Sequence, residues 1–370
     1  MRKILVTGGT VFVSRYVAAY FADLGDEVYV LNRNTRPQIP NVTLIEGDRH
    51  DLGDRLKGYE FDAVLDITAY TRSDVEQLVV ALGTFRDYIF ISSSAVYPEC
   101  LPQPFSEEQP CGPNTVWGAY GTNKLAAEEY LRQAVPGAYI LRPPYLYGPM
   151  QNVYREPFVF ECAEQGRAFY IPGDGGMKLQ FFHVEDLCRF IQILLEKHPE
   201  ERVYNVGNPE AVTVNEWVRL CYDAVGAELS TVRVEGHPQR SYFCFHDYDY
   251  RLDVSKMTAL MPQVKPLEQG LRESWAWFRA HRDEVLRRPY MAYIDEHFEV
   301  KEMSLISGCQ EGKGTPRLVE VKCPRCGAWV EVFVKMGGAI GQTGTLVADE
   351  TCECGYTLPA GSFETDYEGN

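Results

Sequence analysis

Short apolar runs alternate with segments of helical period along the first part of the chain. Lys3–Thr7 reads as a buried strand, Val13–Leu24 as a helix and Asp26–Leu31 as the next strand. Val42–Glu46, Ala63–Ile67 and Tyr88–Ile91 follow as strands, with a helix over Ser73–Leu82. Strands alternating with helices predict an α/β fold with a doubly wound parallel sheet. Ligands of such sheets bind at the carboxyl ends of the strands. The turn Thr7-Gly8-Gly9-Thr10, Asp48 and Ser93 all fall at such ends.

From about Pro143 the pattern becomes irregular, with frequent Gly, Pro and aromatic residues, and helical periods return at Val184–Leu195, Val214–Val225 and Leu267–Arg279. This predicts a smaller substrate lobe over the carboxyl edge of the sheet, the chain crossing between lobes more than once. After about Lys301 the character shifts again: Leu318–Lys322 and Val330–Lys335 alternate like antiparallel strands. The expected division is residues 1–300 as one nucleotide-binding domain with its lobe, and 305–370 as a small β module.

The chain has 370 residues and a formal net charge of −16. That acidity argues against a generic nucleic-acid or anionic-membrane surface. No apolar run is long enough to cross a bilayer, and the first residues enter a core strand without a signal-peptide pattern. The 11 cysteines have no framework spacing, as expected of reduced thiols in the cytoplasm. A small-molecule substrate and a homodimer are compatible with these properties.

Candidate chemistry centres on Trp117-Gly118-Ala119-Tyr120-Gly121-Thr122-Asn123-Lys124. Tyr120 and Lys124 lie one helical turn apart and leave the same helix face. A nearby ammonium favours phenolate, so Tyr120 is expected to have a depressed pKa and to move a proton to or from an alcohol. Upstream, Gly8, Thr10, Phe12 and Val13 form a strand-to-helix turn suited to a pyrophosphate. A fuller glycine fingerprint would place Gly at Val11 and Ser14. Asn32 at the end of the second strand carries no charge to repel a 2′-phosphate, and Arg33 could bind one, so NADP is favoured over NAD. Asp48 is placed for adenine, Arg49 for adenine or phosphate, and Thr68 ends the strand beside the turn.

These landmarks, with Leu141-Arg142-Pro143-Pro144-Tyr145-Leu146-Tyr147-Gly148-Pro149 and Gly173-Asp174-Gly175 before Phe182-His183-Val184-Glu185-Asp186, resemble the extended short-chain dehydrogenase/reductases, the NAD-dependent epimerase/dehydratase family. The resemblance covers roughly residues 1–295. It implies a Rossmann-type sheet, with Tyr120 as acid/base, Lys124 on the nicotinamide ribose, Ser93 on the reacting oxygen and Pro143 in the nicotinamide pocket. The function implied is an NAD(P)-dependent epimerase or oxidoreductase acting on a secondary alcohol of a sugar or nucleotide sugar. Two departures narrow it. Ser94-Ala95 stand where the dehydratases carry an acid pair, and Leu179 stands where many nucleotide-sugar enzymes carry an Arg, with only Lys178 nearby as a substitute. The chain also resembles an atypical branch that includes the chloroplast stem-loop-binding proteins, which implies RNA binding as an alternative.

In the tail, Cys323-x2-Cys326-Gly327 has the spacing of a zinc-knuckle half, and Cys352-x-Cys354-Gly355 is a shorter second half. Four thiolates predict a structural Zn²⁺ with no open position, in a zinc-ribbon-like module. Cys100 and Cys111 read as ordinary loop residues, His183 as a packing residue and the aromatic run Tyr242–Tyr250 as packed core.

Overall fold

The computed structural model describes residues 1–298, 305–306, 317–323, 325–326, 329–337, 343–346, 349–352, 356–359 and 361–364. The chain divides into two compact units, Met1–Arg288 and Pro289–Asn370.

In the first unit the predicted alternation forms β1 (Lys3–Thr7), α1 (Phe12–Asp23), β2 (Glu27–Asn32), β3 (Val42–Glu46), β4 (Glu60–Asp66), α2 (Arg72–Ala81), β5 (Thr84–Ile91), α3 (Ala119–Ala134) and β6 (Tyr139–Arg142). The strand Val203–Asn205 returns from the irregular half and pairs with β6. All seven strands are parallel, in the order Val203–Asn205, β6, β5, β4, β1, β2, β3. The order reverses between β1 and β4, so a crevice opens where their carboxyl ends diverge.

Period-two alternation distributes the apolar residues to both faces. Leu5, Val64, Tyr88 and Phe90 join Val75 and Leu78 of α2 and Ala127 and Leu131 of α3 in one buried cluster. Ile4 and Val6, fully buried, alternate with Leu5 and face the other side. Capping is local: Thr71 and Asp74 form a reciprocal capping box at the start of α2.

The turn after β1 works without its full glycine set. Gly8 and Gly9 have φ of +94° and +91°. Val11 is extended, at φ −137°, a conformation that needs no glycine. Ser14 is buried and donates its hydroxyl to the Val11 carbonyl at 2.9 Å, closing the turn. The left-handed conformation falls on Phe12, at φ +35°.

The second unit begins with the helix Tyr290–His297. Its strands Leu305–Ile306, Arg317–Lys322, Trp329–Gly337, Thr343–Leu346 and Gly361–Glu364 form one antiparallel sheet. The two strands read from the sequence are longer here by a residue or more at their ends.

A Cβ on Gly9 would lie 2.5 Å from Val30 Cγ1, in a backbone conformation that side chains rarely adopt. Gly9→Ala is therefore expected to cost about 2 kcal/mol or more. Thermal and denaturant unfolding of the full chain measure this; an unchanged midpoint contradicts the close approach.

Candidate active site

Ser93 ends β5 in an extended conformation and caps the 3₁₀ turn Ser94–Val96, its oxygen accepting from Ala95 N at 3.1 Å. Tyr120 lies in the first turn of α3 and lines the same cavity as Ser93, whose hydroxyl is near enough to favour the phenolate. Burial pushes the Tyr120 phenol up, the Ser93 hydroxyl opposes this, and Tyr70 adds to the rise. The residue lines the cavity and keeps 38% of its surface exposed, so it is reachable from solvent. Lys124 is buried one turn on. Its ammonium donates to the carbonyls of Ala69 and Ile91, both at 2.7 Å, and lies 5.1 Å from the Tyr70 ring centroid. The expected depression of the Tyr120 phenol by Lys124 is therefore not what the arrangement gives: the ammonium is spent on carbonyls, and desolvation dominates the phenol. Lys124 itself is pushed down to about 8 by burial, against the supporting charge of Asp66. One of its three N–H groups remains for a ligand.

Ser93, Tyr120 and Lys124 line one cavity of about 380 Å³ together with Phe12, Val13 and Pro143. The other predicted cofactor residues lie along the β1–β2–β3 side. α1 has no side-chain cap, which leaves its first-turn N–H groups available to an anion. A Cβ at Gly8 would sit 2.7 Å from Ser14 Oγ and Thr68 Cγ2. Thr68 donates its hydroxyl to Thr7 Oγ1 at 3.1 Å, and Thr10 is half-buried within the turn. Asn32 donates to the Gly8 carbonyl at 2.7 Å and to Gln38 at 3.0 Å, and accepts from Asn34 N at 2.9 Å. Its amide is thus occupied by the turn and the following loop, while Arg33 beside it is exposed. Asp48 is half-buried and accepts from His50 N. Arg49 pairs with the buried Asp66 at 2.7 Å, and its Nη1 is buried with no hydrogen-bond partner. These are the features expected around a dinucleotide: exposed helix N–H groups, a turn with no room for side chains, and an orphaned guanidinium edge.

Sequence reasoning missed the other wall of the cavity. Arg155 precedes α4 (Glu156–Glu164) and lies 5.4 Å from the Tyr145 ring and 5.9 Å from that of Phe245. Arg240 donates to the carbonyls of Cys244 and Phe243. Trp117, three residues before Tyr120, packs its ring 5.2 Å from His246. No local motif marks Arg155 or Arg240. The aromatic run was visible, and Phe243, Phe245 and Tyr250 are indeed buried, but Phe245, His246 and Tyr250 also line the cavity. Among the described residues, the charged side chains of the lining are Lys124, Arg155 and Arg240, with no carboxylate; the buried Glu156 lies behind the wall, 3.9 Å from Arg155 Nε. Trp117 Nε1, Tyr145 Oη and Arg155 Nε are buried without hydrogen-bond partners. Leu179 is fully buried, and Lys178 does not line this cavity, so the cationic wall comes from elsewhere than expected. Neither Cys100 nor Cys111 reaches it. His183 is a packing residue, as expected: fully buried, it accepts from Glu185 N, and burial holds it neutral with a pKa near 3.

The model of the NAD dependent epimerase/dehydratase family matches residues 4–207. The chain belongs to this family. Among curated relatives, the chloroplast stem-loop binding protein of 41 kDa b from Arabidopsis thaliana is 27% identical over 302 residues, covering 74% of this chain and 78% of the relative. The dTDP-4-dehydro-6-deoxy-D-allose reductase of Streptomyces bikiniensis is 26% identical over 331 residues, covering 76% and 97%. Among solved structures, the UDP-glucose 4-epimerase of Thermotoga maritima superposes with a TM-score of 0.64 at 22% identity, covering 75% of this chain and 99% of that one. The likeness is one of fold. The first unit therefore carries the scaffold of an epimerase/dehydratase-family enzyme, with Ser93, Tyr120 and Lys124 around one cavity.

In the second unit Cys323, Cys326 and Cys352 bring their sulfurs within 4.8 Å of one another. Cys323 and Cys352 are buried and Cys326 is exposed. Burial raises the Cys323 thiol, but backbone N–H groups of Cys326 and Arg325 outweigh it and hold it at about 7. Cys354 lies outside the described residues.

The folded protein holds Lys124 near 8 against 10.5 for an ordinary lysine. Its buried ammonium therefore costs stability below about pH 8, and that cost fades as pH rises toward 10.5. Nuclear magnetic resonance titration of isotope-labelled lysine should show one side chain with a midpoint near 8 that disappears in Lys124→Met. A midpoint in the ordinary lysine range contradicts the burial.

Proposed function

We propose that the chain is an NAD(P)-dependent epimerase or oxidoreductase acting on a secondary alcohol of a nucleotide sugar. The observation that carries this reading is the cavity itself: Ser93, Tyr120 and Lys124 on one wall, Arg155 and Arg240 on the other, and no carboxylate between them. Three cations and the unpartnered Trp117 Nε1 and Tyr145 Oη suit an oxygen-rich, anionic ligand such as a sugar diphosphate. The aromatic rings of Trp117, Tyr145 and Tyr250 offer faces for a sugar or base.

The first-turn N–H groups of α1 and the glycine turn would hold the pyrophosphate of the dinucleotide. Arg33 and the free edge of Arg49 face its adenosine half, and the uncharged Asn32 gives the lean to NADP. The nicotinamide, when bound, accepts and returns hydride. In its phenolate form, Tyr120 would take the hydroxyl proton of the substrate and return to the neutral phenol that burial favours. Ser93 hydrogen-bonds the reacting oxygen and the phenol together. The remaining N–H of Lys124 holds the nicotinamide ribose, and Pro143 walls that pocket. Loss of water would need a second acid/base pair. Ser94 instead donates to the Pro143 carbonyl at 2.7 Å and accepts from Tyr250, so redox or epimerisation is favoured over dehydration. The stem-loop relative raises RNA binding as the alternative; the acidic balance and the assembled proton-transfer set weigh against it. The 11 cysteines, without a disulfide-framework spacing, favour a reducing, cytoplasmic setting.

Tyr120→Phe is expected to lower turnover at least about a hundredfold while leaving NAD⁺ affinity within a few-fold. Reduction of NAD⁺, or epimer formation, with UDP-glucose and dTDP-glucose as probes measures turnover. Ordinary activity in the variant contradicts the assigned role.

For the tail, the reading is one structural Zn²⁺ held by Cys323, Cys326, Cys352 and Cys354. Metal analysis should give about one Zn²⁺ per chain, lost in Cys326→Ser/Cys352→Ser. Removing it should expose the segment after about residue 305 to protease while NAD⁺ binding survives, because so small a module depends on its metal. A metal-free protein with a protease-resistant tail contradicts the site.

A further inference from the structure

A buried ion pair lies behind the site: Glu128 and Arg142 do not line the cavity, but Ser92, which does, bonds to Glu128. Glu128 of α3 is fully buried, and Arg142 at the end of β6 is 1% exposed. Arg142 donates through Nε to Glu128 Oε1 at 2.9 Å and through Nη2 to Oε2 at 2.6 Å. Ser92 donates to the same carboxylate at 2.5 Å, and Arg132 donates to it at 3.0 Å. The third arm of Arg142 donates to the Tyr97 hydroxyl at 2.7 Å, which in turn donates to Asn205 on the returning strand.

Three members of this network adjoin a site residue. Ser92 precedes Ser93. Glu128 lies one turn beyond Lys124 and two beyond Tyr120, on the same helix face. Arg142 precedes Pro143. The opposite end of the helix is also pinned: a Cβ on Gly121 would fall 2.3 Å from the Ala95 carbonyl oxygen, so α3 lies against the turn that follows Ser93. We propose that Glu128 and Arg142 are positioning residues, setting the register of α3 against β5 and β6 so that Tyr120 meets Ser93. Stability alone does not account for such a pair, since well-packed apolar replacements of buried ion pairs are commonly neutral or stabilising. A bidentate fork fixes direction as well as distance, which an apolar contact does not.

The proposal rests on the reading of Tyr120 and Ser93 given above, and its test separates the two. Glu128→Gln and the double variant Glu128→Gln/Arg142→Met are compared with the parent as full chains. The double variant leaves no buried charge unpaired and keeps the side-chain volumes. The readouts are the melting midpoint, NAD⁺ affinity and ionisation of the Tyr120 phenol, taken as the ultraviolet difference between each protein and its Tyr120→Phe counterpart. A slipped helix loses the Ser93 contact that opposes the rise of the phenol pKa, so ionisation should move up. Removing a negative charge without movement would shift it down or leave it unchanged. Turnover of the nucleotide-sugar probe should fall about tenfold or more with KM changed less than about twofold. A folded double variant with parental phenol ionisation overturns the proposal, and so does a double variant that fails to fold, which makes the pair structural. If Tyr120→Phe keeps its turnover, the catalytic reading fails while the phenol shift still decides the clamp.

Discussion

The carboxylate of Asp66 is the constraint on which the cleft depends. It ends β4 with no solvent exposure and accepts from Thr7 Oγ1 at 2.8 Å, Tyr88 Oη at 2.8 Å and Arg49 at 2.7 Å. A carboxylate so buried is tolerable only when its lone pairs are satisfied. Satisfying it ties the end of β1, the strand β5 and the loop after β3 to one point. The Thr7 oxygen then accepts from the backbone N–H groups of Ile67 and Thr68, which shapes the chain beyond β4. The same charge partly supports the Lys124 ammonium in its dry position. Fold and chemistry therefore share a single buried anion.

The second organising feature is a contrast of charge. The chain carries −16 overall, yet among the described residues the charged side chains lining its candidate active cavity are the cations Lys124, Arg155 and Arg240. Cations gathered in a concave, low-dielectric site focus a local positive field that the acidic remainder does not cancel at short range. Such a site draws an anionic small molecule inward while the outer surface repels polyanions. This is the physical reason for proposing a sugar diphosphate rather than a nucleic acid as the ligand.

Much of this was legible in the sequence, for identifiable reasons. Strands such as Val42–Glu46 and the helix Val214–Val225 appear as read, because period and flanking residues agree there. Ser93, Tyr120 and Lys124 were readable because the helix spacing and the strand end are local features. Arg155 and Arg240 were not, since each reaches the cavity from the irregular half through contacts distant in sequence. The direction of the Tyr120 shift was also hidden: it depends on desolvation and on the carbonyls of Ala69 and Ile91 claiming the ammonium. The missing glycines at Val11 and Ser14 mattered less than their pattern suggested, because an extended Val11, a buried Ser14 hydroxyl and a left-handed Phe12 complete the turn.

The central claim is that this cavity transfers hydride from a sugar carbinol while Tyr120 handles the proton. The most direct measurement uses nucleotide sugars deuterated at each carbinol carbon in turn, incubated with the NAD⁺-loaded full chain. Mass spectrometry of the nicotinamide and of the recovered sugar then locates the label. Deuterium appearing on the nicotinamide, or returning to the same carbon in the other configuration, is the result predicted. Retention of every label on unchanged sugar, in protein shown to bind both NAD⁺ and the nucleotide sugar, would contradict the account.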